Sequence, residues 1–175
     1  MADELLDIVN DKDEVTGQEM RSVVHQQGLW HRGVHVFLFN EQGEMLVQQR
    51  SADRANSPSL WDCSVSEHVK AGESYREAAM RGLKEEMGVE GVEISLRGKI
   101  QMEYGVNDNE ISEIYEGRLG GKSVQFDPGE ISEVKFMSLD DIQAGIVTVK
   151  EQYCYWFIEL MKWYLGKSDA RLKVM

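Results

Sequence analysis

The sequence predicts a mixed α/β fold, and three observations carry that expectation. Short apolar, β-branched segments recur between clusters of turn residues, which is the pattern of strands. One amphipathic helix in the middle of the chain is marked at both ends. Two further helical segments close the chain. With 175 residues, one domain spanning 1–175 is expected, and it is large enough to bury a core.

The first expected strand is Leu5 to Val9, followed by a turn at Asn10-Asp11-Lys12-Asp13, where Asn and Asp side chains bond their own backbone. Val34 to Phe39, the breaker Asn40-Glu41-Gln42-Gly43 and the alternating Met45 to Gln49 predict a hairpin in the central sheet. Ser51 to Ser59 reads as a loop, with Leu60 to Val65 a strand behind it. The marked helix follows. Ser74 and Glu77 have the spacing of a capping box, and Gly88 ends it. Val92 to Gly105, Ser112 to Leu119 and Ser132 to Met137 read as strands, with loops at Val106 to Asn109 and Gly120 to Glu130. A short helix starts at Ser138-Leu139-Asp140-Asp141, and a longer one runs from Val149 to Leu165.

Composition narrows the classes of function. Hydrophobic residues at 42% and charged residues at 29% suit a globular chain rather than a disordered one. The formal net charge of −12, with no basic run, speaks against nucleic acid and anionic membrane as partners. An anionic ligand would need cations and a few placed arginines within its site. Cys63 and Cys154 are far apart, offer no zinc framework and are expected as core residues in a reducing compartment. Met1 to Asn10 carries Asp3, Glu4 and Asp7 and lacks the basic start and apolar stretch of a signal peptide. Tyr153 to Leu165 is too short for a membrane span and contains Glu159 and Lys162. A cytoplasmic location is expected.

The central helix carries the first sign of chemistry. At about 100° per residue, Tyr75, Ala78, Ala79, Leu83 and Met87 form one apolar arc. Glu86 falls in the middle of that arc, and Glu85 at its edge near Arg81. A carboxylate on a core face must be paired, protonated or bound to a cation. A frayed last turn that brings both carboxylates into water is the alternative. Adjacent hard oxygen ligands suit Mg²⁺ or Mn²⁺ in phosphate chemistry.

From Glu67 to Val89 the sequence resembles the Nudix box, Gly-x5-Glu-x7-Arg-Glu-U-x-Glu-Glu-x-Gly-U with U aliphatic. Glu73, Arg81, Leu83, Glu85, Glu86, Gly88 and Val89 match. Two positions depart. Glu67 stands for the first glycine, and Gly82 for the glutamate after the arginine, a residue that helps hold metal in many hydrolases of the family. A glycine inside a helix costs about 1 kcal/mol relative to alanine, so Gly82 calls for a packing or ligand reason. The resemblance implies the Nudix α/β/α sandwich, with the box helix beneath a diphosphate cleft.

Over residues 5 to 165 the chain is similar to the branch containing type I isopentenyl-diphosphate isomerase and its hydrolase relatives. That resemblance implies a metal site at His25, His31, His68 and Glu110, with a further acidic position at Asp108. Imidazoles with carboxylates make a credible divalent-metal site if the fold gathers them. The same template puts diphosphate-binding residues at Arg21, Arg50 and Arg54, whose planar forks suit phosphate oxygens. Tyr104 and Trp156 match aromatic positions lining the pocket, where burial in the core is an equally good account. The resemblance leaves room for a homodimer.

The isomerase likeness breaks at its catalytic cysteine, which is Ser66 here. Cys63 lies three residues earlier, and on a continuous strand that displacement turns the side chain to the opposite face. A serine hydroxyl is a poorer acid–base group than a thiol. The first reading is therefore a metal-dependent hydrolase of a diphosphate linkage, with Glu86 and Glu110 in metal binding and proton transfer. An isomerase of altered activity working through Ser66 is the second, and a catalytically silent diphosphate-binding Nudix protein is the third.

Overall fold

The chain runs from a hairpin, β1 (Leu5–Val9) and β2 (Val15–Met20), through a short helix, α1 (Arg21–Gln27), into a long strand, β3 (His31–Phe39). β4 (Met45–Arg50), β5 (Trp61–Asp62) and β6 (Val65–His68) precede the central helix, α2 (Tyr75–Met87). Next come β7 (Ile94–Gly105), β8 (Asp108–Arg118), β9 (Ile131–Met137), α3 (Leu139–Thr148), a 3₁₀ turn at Lys150–Gln152, α4 (Tyr155–Tyr164) and β10 (Leu172–Val174). This computed structural model describes residues 3–167 and 172–175, so the first two residues of the N-terminal segment and 168–171 of the expected 1–175 domain lie outside it.

All the strands join one sheet, and its pairings make β3 the hub. β3 pairs in parallel with β8 and antiparallel with β6 and β4; the other pairs are antiparallel, so the sheet is mixed as expected. Along β3 every residue but Arg32 is buried, as in a strand covered on both faces. Val34, Val36 and Leu38 pack with Ala78, Ala79, Leu83 and Met87 of α2. Phe37 and Phe39 pack on the other face with Ile142 and Ile146 of α3 and Phe157, Leu160 and Met161 of α4. Side chains alternate across a strand, so one segment supplies both cores of an α/β/α sandwich.

Several boundaries differ from expectation, each for a local reason. The strand expected over Leu60–Val65 is broken at Cys63 and Ser64. There the Cys63 N–H is taken by Asp62 Oδ1 at 2.8 Å, and the Ser64 hydroxyl bonds Leu38 N at 2.9 Å and Leu46 O at 2.5 Å. The last helix begins at Tyr155 rather than Val149, because Cys154 N bonds Trp61 O at 2.8 Å and ties the chain to the sheet. β8 starts at Asp108 rather than Ser112: the turn needs only Val106 and Asn107, and Asn107 takes the left-handed conformation at φ 60°. α1 opens at Met20 without a side-chain cap, and β2 is mostly exposed, so neither carried a start signal or an alternation to read.

Candidate active site

The register of β3 against its two neighbours assembles the site. His31 lies opposite Glu110 of β8, Gly33 opposite both His68 of β6 and Ser112 of β8, and His35 opposite Ser66. His31, Gly33 and His35 are two residues apart and share one face of the strand. Gly33 makes room there. A Cβ on it would fall 2.0 Å from Glu110 Oε1 and 2.1 Å from its carboxyl carbon, so the Glu110 carboxyl occupies the space of a side chain.

Three imidazoles meet beside this row. Ligand nitrogens of His25, His31 and His68 all lie within 4.8 Å of one another, and His25 Nε2 is 3.2 Å from His68 Nε2. His31 Nδ1 is 3.1 Å from the Leu29 carbonyl, which accepts its proton; Nε2 is left as a bare lone pair. That Nε2 is buried with no hydrogen-bond partner, and Glu110 Oε2 stands 3.7 Å away. His25 Nδ1 faces Asp108 Oδ1 at 3.5 Å, a carboxylate backing an imidazole whose other nitrogen is turned to the cluster.

The electrostatics favour neutral imidazoles at His25 and His68 and an ionised Glu110. Burial, and then the charges of His31 and Arg21, pull His25 down to about 4. Burial pulls His68 well below the usual histidine value. Burial opposes ionisation of Glu110, but the hydrogen bond and charge of His35 and the charges of His31 and His68 outweigh it and hold Glu110 at about 2. Asp108 is pushed up to about 6 by burial and by the Glu110 charge. Neutral imidazole and carboxylate are the forms that bind a divalent cation, and the orphaned His31 nitrogen fits one.

His35 is the residue that sequence reasoning missed. Its Nδ1 is 2.8 Å from Ser66 Oγ, and its Nε2 is 3.4 Å from Glu110 Oε1 and 3.2 Å from the Tyr104 hydroxyl. The four-residue spacing from His31 was the available signal, once the strand is known to begin at 31 rather than 34. Cys63 is a buried core residue as expected, but the parity argument that turned it to the opposite face fails. The break between β5 and β6 removes the strand parity, and Cys63 Sγ lies 3.9 Å from the same His35 Nδ1. Burial pushes its thiol well above the usual range, so it is no thiolate.

The box helix contributes a second group. Its capping box is formed, with Glu77 N donating to Ser74 Oγ at 3.3 Å and Ser74 N to Glu77 Oε2 at 2.9 Å. Glu86 is only 5% exposed, so the frayed-turn alternative does not hold for it; Glu85 is exposed. Gln48 Nε2 donates to Glu86 Oε2 at 2.6 Å, while Glu86 Oε1 is buried without a partner. Burial, and next the charge of Glu67, push Glu86 well above the usual carboxylate range. Arg81 ties the box together, donating to Glu73 at 2.9 Å, to Glu67 at 3.1 Å and to Glu85 at 3.3 Å.

Both groups border one cavity of about 460 Å³. His25, His68, Asp108 and Glu110 line it together with Glu67 and Glu85, while His31 and Glu86 are buried and not part of its lining. Arg21, Arg50, Arg54, Ser66, Tyr104 and Trp156 complete the lining. Arg21 Nε has no partner. Arg54 pairs with Glu130 at 2.8 Å, and Arg50 with Asp62 at 3.4 Å beneath the Trp156 ring. Trp156 Nε1 donates to Asp62 at 2.9 Å, which fixes the ring at the rim.

This fold and this box define the class of protein: residues 29–157 match the NUDIX domain, and the chain belongs to the Nudix family. Among its relatives, it is 33% identical over 164 residues to an isopentenyl-diphosphate Delta-isomerase of Serratia proteamaculans, covering 91% of this chain and 90% of that one. An uncharacterized Nudix hydrolase of Streptomyces coelicolor is 42% identical over 91 residues, about half of each chain. The crystal structure of DR0079 from Deinococcus radiodurans superposes with a TM-score of 0.78 at 30% identity, covering 91% of this chain and 98% of that one. These relatives support an enzyme. Among the described residues no helix is long and apolar enough to cross a membrane.

Proposed function

We propose that this protein hydrolyses a diphosphate linkage in a small molecule, with Mg²⁺ or Mn²⁺ held by Glu85 and Glu86 and by His25, His31, His68, Asp108 and Glu110. The observation that carries the reading is a pair of buried polar atoms without partners, His31 Nε2 and Glu86 Oε1, beside one cavity that three arginines also reach. Each orphan costs about 1–3 kcal/mol of desolvation, a cost that a bound cation removes. When bound, the cation would supply positive charge to a diphosphate that the net charge of −12 otherwise repels.

The residues of the chain do the rest. Arg21, Arg50 and Arg54 hold phosphate oxygens, and Arg21 is the readiest because its Nε is unengaged. Trp156 and Tyr104 cover the group attached to the diphosphate. Glu110, held ionised at about 2, serves as a ligand rather than a base. Glu86, raised by burial, is the better placed for proton transfer at neutral pH.

One observation favours a second reading, isomerisation of a prenyl diphosphate. Ser66 keeps an imidazole partner at 2.8 Å, and that imidazole reaches Glu110 and Tyr104, so a proton path survives without the thiol. The similarity to an isomerase over 91% of the chain supports it as well. The test is incubation with Mg²⁺ or Mn²⁺ and a panel of nucleoside diphosphates, dinucleotides and prenyl diphosphates, following phosphate release and double-bond migration separately. Hydrolysis that disappears in Glu86→Gln supports the first reading; isomerisation that disappears in Ser66→Ala supports the second. Tight diphosphate binding with neither product defeats both.

A further inference from the structure

We propose that Glu67 and Gly82, the two departures from the Nudix box, are one exchange: the Glu67 carboxylate has taken over the cation-facing place of the glutamate missing at 82. This rests on the reading that the box carboxylates bind a divalent cation.

The steric part is direct. β6 lies across α2, and a Cβ on Gly82 would meet Val65 Cγ1 at 2.5 Å and Glu67 Cγ at 3.0 Å. Val65 is fully buried and β-branched, so it has little freedom to withdraw. A side chain at 82 is therefore blocked by Val65, and it would also crowd the present course of the Glu67 stem. The glycine expected to carry a packing reason has one in Val65, and its next neighbour is the very residue that breaks the pattern at the other end of the box.

The chemical part concerns where the Glu67 carboxylate ends. It borders the same cavity as Glu85 and accepts from Arg81 at 3.1 Å, the guanidinium that also grips Glu73 and Glu85. After burial, its charge is the strongest influence on Glu86, whose Oε1 is buried without a partner. A glycine at 67 would leave the site two carboxylates on consecutive residues of one helix. Glu67 brings a third from the facing strand, so the carboxylates at this part of the site again number three although one has changed element.

Calorimetry with Mg²⁺, which favours oxygen over imidazole ligands, reports on this site in the absence of substrate. Glu67→Gln keeps the size of the side chain and is expected to weaken Mg²⁺ binding about 10–100-fold, as Glu86→Gln does. Gly82→Glu is expected to lower the Tm without improving affinity. The exchange reversed with the Val65 contact also relieved, Glu67→Gly and Gly82→Glu on Val65→Ala, is expected to recover Mg²⁺ binding to within a few-fold of wild type. Unchanged Mg²⁺ binding in Glu67→Gln beside a loss in Glu86→Gln would overturn the exchange and leave the box site standing. Unchanged binding in both variants would overturn the exchange together with the reading beneath it. A reversed variant that folds but binds no Mg²⁺ also overturns it.

Discussion

Gly33→Ala is the sharpest test of how the β3 row is built. The added methyl falls 2.0 Å from Glu110 Oε1 and 2.6 Å from Oε2, so the carboxyl must leave its seat. It then loses the donor Ser112 Oγ and the contact with His35 Nε2 at 3.4 Å. A hydrogen bond to an ionised group is worth about 1.5–3 kcal/mol. Losing two, less the roughly 0.5–1 kcal/mol that alanine gains over glycine within a strand, leaves a destabilisation of about 2–5 kcal/mol. In a chain of this size that is a fall in Tm of roughly 5–15 °C. The assay is urea unfolding of Gly33→Ala in wild-type and Glu110→Ala backgrounds, since in the second the methyl has space and its cost should shrink below about 1 kcal/mol. An equal cost in both backgrounds, or none in wild type, would refute the claim that Gly33 exists to seat Glu110.

Mn²⁺ at about 100 times its Kd should raise stability by ~2.7 kcal/mol, seen as a higher Tm that chelation reverses. His31→Phe, which fills the space but removes the orphaned Nε2, should abolish most of that gain; an undiminished gain speaks against the imidazole cluster as a cation site. Arg54→Ala should raise KM for the diphosphate substrate about 10–100-fold with little change in kcat. An unchanged KM would leave Arg54 only its ion pair with Glu130. Asp13 predicts a pH effect away from the site. Burial opposes its ionisation, but Lys99 and Arg32 outweigh burial and hold it below the ordinary 3.8. A folded pKa below the unfolded one means the contribution is complete above 3.8 and is lost as pH falls through the folded value. The urea midpoint of Asp13→Asn should therefore fall below wild type at neutral pH and converge with it in acid; a constant gap across that range contradicts the assignment.

What could be read from the sequence, and what could not, divides along a physical line. α2 was legible to its ends because its determinants are local: Ser74 and Glu77 bond each other's backbone, and Gly88 adopts the left-handed cap at φ 63°. The burial of Glu86 followed from helical period alone. His35 was not legible, because its importance lies in a cross-strand partner, Ser66, 31 residues away, and in the extension of β3 back to His31. Cys63 was misjudged for a related reason. Parity along a strand holds only while the ladder is continuous, and the side chains of Asp62 and Ser64 interrupt it there. The spacing of His25, His31 and His68 says nothing about a shared centre until α1 and β6 are brought to the same end of β3.

Two of the buried atoms without partners, His31 Nε2 and Glu86 Oε1, and two of the close-packed glycines, Gly33 and Gly82, bear on one another. A fold selected for stability alone would put a methyl at 33 and 82, for a strand and a helix both gain from alanine. Here Gly33 gives its space to the carboxyl of Glu110, and Gly82 gives its space to Val65 and the stem of Glu67. Each glycine thus admits a carboxylate to the cavity lining, and each carboxylate acts on a residue with a buried polar atom that has no protein partner, His31 Nε2 at 3.7 Å from Glu110 and Glu86 Oε1 under the charge of Glu67. Stability is given up twice in the same way, toward the same hollow. A ligand carrying positive charge accounts for both, because it would satisfy the two buried lone pairs that the protein leaves without a partner.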